Sequence, residues 1–381
     1  MVDFYRSRKK NKNKTPPTSN NGNTNQSNKR AKTYENKALS GPLYDKDSTY
    51  EQNKSTLHSQ DIKKVKEILG GKPRQYTTSV AIPSSIIESA PTLEMKTILA
   101  GQIARALVIN SVDEVVIYED KVQSTQAKIN SSLFLARAFQ YMETPQYLRK
   151  ALVPISPDLK FAGLLPPLDV PHHPGMEETT LYREGVTLDK SNNNHETDST
   201  VVDVGLFRRA RIDRAIQPGV RVTVEFNEPV SASETKKGQK PLPAKVVSPK
   251  IPREKGGLYW GYNIRLASSF SRVMTECPYK DGYDYSIGVS DRNGKDMYGE
   301  NALNAVKPFQ HLLVAFGGPL GGLEEAIEAD EDLKVGGDEA SELFDLFIDP
   351  NGKSGTRSVR LEESMMMVLP ALKPVISSKG K

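Results

Sequence analysis

Apolar and polar positions follow two different rhythms along this chain, and the change of rhythm predicts its organisation. TTSVAIP (Thr77 to Pro83) is a β-rich run, and from Thr92 apolar residues recur at helical spacing through Leu93, Ile98, Ile103, Ala106, Leu107 and Ile109. VDEVVIYED then supplies a second apolar run. Strand, helix, strand is the order of a parallel sheet. IKKVKEIL, just after Asp61, has helical spacing and stops at Gly70-Gly71, while Ser131 to Leu152 reads as two helices separated at Pro145. From Tyr182 to Ala267 the period becomes two: YREGVTL, STVVDVGLF, RVTVEF, PAKVVSP and YWGYNIRLA are short alternating segments set apart by Gly, Pro, Asn and Lys. Five such segments predict a small OB-like β-barrel. Core-strand patterns resume with YDYSIGVS (Tyr283 to Ser290), HLLVAFGG and LFDLFIDP (Leu343 to Pro350), before a last helix expected over Leu361 to Leu372. The expectation is an α/β body at 61–180 and 268–381, with the barrel inserted at 181–267.

The segment HLLVAFGGPLGGLE, His311 to Glu324, changes the picture from fold to function. A buried run halts on Gly317, Gly318, Gly321 and Gly322, and Leu323, Ala326 and Ile327 follow at helix spacing. Paired glycines leave backbone amides bare where side chains would block a ligand. A small-molecule site at the carboxyl edge of a sheet is expected there, because ligands of open α/β sheets bind at that edge. YDYSIGVS and LFDLFIDP also end in loop residues, so three loops aim at one edge.

Charge then divides the chain. The net charge is +5, but residues 1–40 hold ten Lys or Arg against Asp3 and Glu35, so the remainder carries −3. This basic, Asn- and Ser-rich stretch predicts a disordered tail over 1–60, suited to nuclear import or weak phosphate contact. One cysteine, Cys277, excludes an internal disulfide framework and fits a reducing intracellular compartment. No apolar run approaches a membrane span. In the barrel region, Lys245, Lys250, Arg253, Lys255 and Arg265 are available to RNA phosphates, and Tyr259, Trp260 and Tyr262 offer stacking faces. Aromatics at alternate strand positions fit a core role equally well, so both readings stand.

Two other chemistries fail on spacing. Gly352-Lys353-Ser354 resembles the end of a phosphate-binding loop, but the position five before Gly352 is Phe347 rather than glycine. His172 and His173 lie in a Pro-rich turn where adjacent imidazoles do not readily ligate one metal, and no metal site is expected. Local hydrogen bonding, or a face toward RNA, is the expected use of the two histidines.

Taken together, FLARAFQYMETPQYLRKAL (Phe134 to Leu152), FAGLLPPLDVPHH (Phe161 to His173), YREGV, GVRVTV, GLYWGYNIRLASS (Gly257 to Ser269), YDYSIGVSDR, FGGPLGGLE and SGTRSVRLEES (Ser354 to Ser364) resemble the SPOUT-class RNA methyltransferases of eukaryotes and archaea. The resemblance covers about Thr77 to Leu372. It implies a trefoil-knotted α/β methyltransferase domain carrying an OB-like insertion, S-adenosylmethionine as cofactor, ribosomal RNA or its precursor as substrate, a homodimer, and a nuclear, nucleolar setting. It places the cofactor on Ile287, Gly288, Ser290 and Arg292; on Phe316, Gly317, Gly318, Gly321 and Gly322; and on Ile348, Asp349, Pro350, Thr356, Arg357, Ser358 and Val359. Arg292 is the expected catalytic contact. Glu362 and Glu363 are expected to be structural partners of Arg357 or Arg360 more than proton acceptors. The chain departs from the family pattern at Val289, Asp291, Asn293, Asp349-Pro350 and Leu361, and its glycine loop is one residue longer. These departures motivate a second reading, a methyltransferase-like ribosome assembly factor that binds RNA without catalysis.

Overall fold

A computed structural model describes residues 72–120, 129–189, 200–232, 240–300, 302–319, 321–352 and 354–381. The tail expected over 1–60 and the helix expected after Asp61 lie outside the described residues. Seven parallel strands form one sheet: β1 (Thr77–Pro83), β2 (Glu114–Tyr118), β8 (Asn263–Ala267), β9 (Tyr285–Val289), β10 (Lys295–Asp296), β11 (His311–Phe316) and β12 (Leu346–Asp349). Their spatial order is β10-β12-β9-β11-β1-β2-β8. Every residue of β1 is buried, as suits a central parallel strand covered on both faces.

Period two sorts these strands onto two cores. Val80, Ile82, Val115, Ile117, Leu312 and Val314 face one side, packed with α1 (Leu93–Ile109), α2 (Ser131–Glu143) and the final helix. Ala81, Val116, Tyr118, Leu313 and Ala315 face the other, against Phe270, Val273, Leu323 and Ile327. Thr92 caps α1 by accepting from the Met95 amide at 3.3 Å. Past Pro145 the second expected helix shrinks to a 3-10 turn and a single α turn, α3 (Arg149–Leu152). Helices α4 (Ile251–Glu254) and α5 (Phe270–Thr275) are short, the latter packed in the second core, and α6 (Gly322–Glu328) follows the glycine loop. The final helix, α7, spans Leu361–Lys379, well beyond Leu372, and continues through Pro370 and Pro374. Both prolines are exposed four residues apart on one face, where water can satisfy the carbonyls their missing N–H groups release. Pairing of Phe309 with Gly380 secures its end.

The barrel closes on five strands: β3 (Thr180–Thr187), β4 (Thr200–Asp203), β5 (Ala210–Ile212), β6 (Arg221–Val230) and β7 (Leu242–Val247), in the order β3-β4-β5-β7-β6 with β6 returning to β3. Val202, Ala210, Ile212, Val222, Val224 and Phe226 fill it. Its fifth strand is not the segment expected. YWGYNIRLA leaves the barrel and becomes β8, paired with β2 from Asn263 opposite Glu114 to Ala267 opposite Tyr118. The aromatics ahead of it are fixed by their polar atoms: Tyr259 donates to Val112 O at 2.7 Å, Tyr262 to Phe139 O at 3.2 Å, and Trp260 Nε1 to Glu184 at 2.5 Å. They form a joint between sheet and barrel. The strand that replaces it, Ala-Arg-Ile, is too short to show a period.

Candidate active site

Strands β12, β9 and β11 lie side by side and run the same way, so the loops after them emerge together. After β11 the backbone passes so close to α6 that a Cβ on Gly317 would stand 2.1 Å from the Leu323 amide nitrogen. A Cβ on Gly318 would stand 2.7 Å from Asp120 Oδ2 and 3.2 Å from Ser85 Oγ, themselves hydrogen-bonded at 2.5 Å. Gly321 adopts φ +89°, where a side chain is strained. The buried Tyr118 hydroxyl donates to Phe316 O at 2.7 Å and pins the strand end from which the loop departs.

The loop after β9 is tied to the same helix. Ser290 donates to Glu324 Oε1 at 2.5 Å and its Oγ accepts from the Arg292 amide at 3.1 Å, which sets the turn that carries Arg292 outward. Glu324 is buried, and its other oxygen finds no donor among the described residues. A buried carboxylate oxygen calls for a partner, and this one lies behind Gly322, whose Cβ would approach it to 2.9 Å. After β12, Asp349 turns the chain by accepting from the amides of Asn351 at 2.7 Å and Gly352 at 3.3 Å. The chain then returns to the edge at Ser358 and enters α7, where Glu363 accepts from the Arg360 amide at 3.0 Å.

Between these loops lies a cleft of about 710 Å³, within the range of small-molecule sites. Of the expected cofactor residues, Ser290, Arg292, Phe316, Gly317, Gly318, Gly321, Gly322, Pro350, Ser358 and Val359 line it. Six others do not. Ile287 and Ile348 are core; Gly288 serves strand packing, since a Cβ there would meet the Phe347 ring at 2.4 Å; Asp349 is used by its own turn; Thr356 bonds Ser358 O at 2.9 Å, and Arg357 is exposed beyond the rim. Glu363 has its helix-capping role, whereas Glu362 lines the cleft, and no ion pair joins either acid to Arg357 or Arg360 among the described residues.

The opposite wall was not foreseen. Ile86, Ser89 and Ala90, from the 3-10 turn after β1, and Met95, Ile98 and Gln102 of α1 complete the cleft. The sequence signal exists, a strand followed by a Ser-rich turn, but it points here only once β1 is known to neighbour β11. The cleft thus combines apolar walls with the backbone of four glycines and with Ser89, Ser290 and Ser358.

The expected RNA contacts separate. Lys245, Lys250 and Lys255 are exposed. Arg253 and Arg265 are engaged within the protein: the first is buried against Asp113 at 3.2 Å and Glu254 at 3.3 Å, which leaves only its Nε over, and the second binds Glu114 at 3.1 Å and Tyr283 at 3.0 Å. With its hydroxyl fixed on Val112, Tyr259 belongs to the joint described above. His172 and His173 both hydrogen-bond to Glu143 O, at 3.0 and 2.6 Å. Burial, with His172 beside it, pushes His173 down to about 3. Burial alone would raise Glu143, but Arg221 at 2.6 Å and His172 at 3.1 Å overcome it and hold the carboxyl at about 2.

Known proteins carry the same sequence pattern. A mouse protein, 28S rRNA (uridine-N(3))-methyltransferase, is 42% identical over 318 residues, covering 81% of this chain and 78% of its own. The human protein of that name is 41% identical over 340 residues, covering 87% and 86%, and the Drosophila melanogaster protein is 40% identical over 318 residues, covering 79% and 62%. The family model described as "Putative RNA methyltransferase" matches residues 77–372, the span that holds both the cleft and the barrel, and the chain belongs to that family.

Proposed function

We propose that this protein is an S-adenosylmethionine-dependent methyltransferase of ribosomal RNA that modifies N3 of a uridine in the large-subunit RNA. The observation that carries this reading is the single cleft built from the loops after β9, β11 and β12. The same class of reaction is named for the mouse, human and fly relatives. S-adenosylmethionine supplies an electrophilic methyl group on a good leaving group, so the protein mainly orients the acceptor. Gly317, Gly318, Gly321 and Gly322 offer backbone amides and carbonyls to the cofactor, with Phe316, Ile86 and Val359 packing its ring. Arg292 steadies the negative charge that grows on the uracil carbonyl oxygens as N3 loses its proton. Glu362, at the cleft wall, takes that proton.

The threading we propose is the trefoil knot of the SPOUT class. What supports it is strand order and packing: β12 lies outside β9, yet α7 packs with α1, and Ser358, Val359 and Arg360 line the same cleft as the loops after β9 and β11. We further propose a homodimer acting in the nucleolus, where exposed Lys245, Lys250 and Lys255 meet the RNA. Calorimetry with S-adenosylmethionine, together with nucleoside mass spectrometry of ribosomal RNA from cells with and without the protein, tests the reading. Donor binding and loss of 3-methyluridine are expected. Donor binding with unchanged nucleosides would instead favour the non-catalytic assembly factor, a reading to which Pro350 lends weight because it puts a residue without an N–H in the cleft wall.

A further inference from the structure

A second cleft, of about 770 Å³, opens at the amino edge of the sheet, where Thr77, Asp113 and Asn263 begin β1, precede β2 and begin β8, and where the barrel strands β6 and β7 come across. Seven residues of strand separate it from the first cleft, about 20 Å. Nothing in methyl transfer uses it.

Its charges are sorted. On the barrel side, Arg221 alone faces two buried carboxylates, Glu143 and Glu184, at 2.6 and 2.7 Å, so that wall is left with excess negative charge. On the sheet side, Asp113 is shared between Arg74 at 2.6 Å and Arg253 at 3.2 Å, Arg253 also pairs with Glu254 at 3.3 Å, and Arg265 pairs with Glu114 at 3.1 Å, so the excess positive charge at that end is that of Lys250. Lys250 lines the same end, exposed and with no acidic partner among the described residues. Arg253 is buried, lines the cleft, and has an Nε with no acceptor among the described residues. A buried guanidinium nitrogen without an acceptor is a group whose partner comes from elsewhere. Tyr279, stacked on His311 with ring centroids 3.9 Å apart, adds an aromatic lining beside these cations.

We infer that this cleft receives a nucleotide of the RNA substrate, its phosphate at Lys250 and Arg253 and its base toward Tyr279. The acidic barrel wall repels the next phosphate, so the strand crosses the mouth of the cleft rather than running along it. RNA is then read at two points on opposite edges of one sheet, and the contact here gives affinity and register without touching the methyl acceptor. This rests on the RNA methyltransferase reading, and its test is separable from it.

The experiment uses the full chain and a 4-thiouridine-substituted single-stranded oligoribonucleotide covering the uridine whose methylation depends on the protein. Lys250→Glu removes the exposed cation, and Asn263→Trp places a ring at the exposed mouth. Both are expected to weaken oligonucleotide binding about tenfold, Lys250→Glu to lower the salt slope by about one, and both to leave S-adenosylmethionine affinity and far-UV circular dichroism unchanged. Cross-linking to the wild type should label the peptide that carries Tyr279, and this decides the matter if Asn263→Trp fails to fold. RNA affinity within twofold of wild type in both variants, or loss in Lys250→Glu alone, overturns the cleft as an RNA site; so does a cross-link confined to other peptides. The first of these leaves the cleft to a protein partner. Failure of the wild type to bind either the methyl donor or the oligonucleotide would instead overturn the methyltransferase reading itself.

Discussion

At the scale of single residues, the account turns on glycine. Gly317 is required by close approach to the backbone of Gly322 and Leu323, Gly321 and Gly322 by positive φ, and Gly318 meets only the side-chain ends of Asp120 and Ser85. Gly318→Trp is expected to fill the cleft and lower S-adenosylmethionine affinity at least about tenfold, about 1.4 kcal/mol, with native far-UV circular dichroism; calorimetry checks it. In the proposed reaction Arg292 and Glu362 differ from the glycines, because they would act on the acceptor. Arg292→Ala and Glu362→Gln are expected to lower kcat by about a hundredfold or more while S-adenosylmethionine affinity stays within twofold. Equal loss of both quantities would return Glu362 to a structural role. The glycine loop was legible in the sequence because its chemistry is local. The buried pairing of Glu324 with Ser290 was not, because the two lie 34 residues apart.

Among the elements, the joint between α2 and the barrel is the most exacting. Glu143, at the end of α2, meets Arg221 of β6 in a buried two-point contact at 2.6 and 2.9 Å. Glu143→Ala strands Arg221 beside Glu184 alone, and removing one partner of a buried pair costs about 3–5 kcal/mol; the urea midpoint should fall accordingly. The same joint sets the acid response. His173 and Glu143 both have folded-state pKa values, about 3 and about 2, below their ordinary 6.5 and 4.5. The unfolded chain therefore binds more protons as acid is added. Their stabilisation is complete above pH 6.5 and is lost as pH falls, His173 first and Glu143 below 4.5. His173→Gln is expected to flatten the wild-type decline in urea midpoint between pH 6.5 and 4.5, where an unchanged slope would contradict this origin. Strands with continuous apolar runs and a capped helix were readable in advance. The barrel's fifth strand was misplaced, because YWGYNIRLA alternates as a barrel strand would, and only its non-local pairing with β2 assigns it to the sheet.

For the whole molecule, strand order is what converts three separate loops into one site. Sequence marks where loops fall, but the order β12-β9-β11-β1 is a property of long-range pairing, and it brings the turn after β1 and the face of α1 to the cleft as an unforeseen wall. The same order puts two clefts on opposite edges, one proposed for the methyl donor and one for a nucleotide of the RNA. The most direct test of the central claim is a crystal structure of the protein with S-adenosylhomocysteine. The account predicts the nucleoside against Gly317, Gly318 and Gly322, with its ring between Phe316 and Val359 and its sulfur facing Arg292. A nucleoside bound at any other edge or face, with those loops bare, would contradict it.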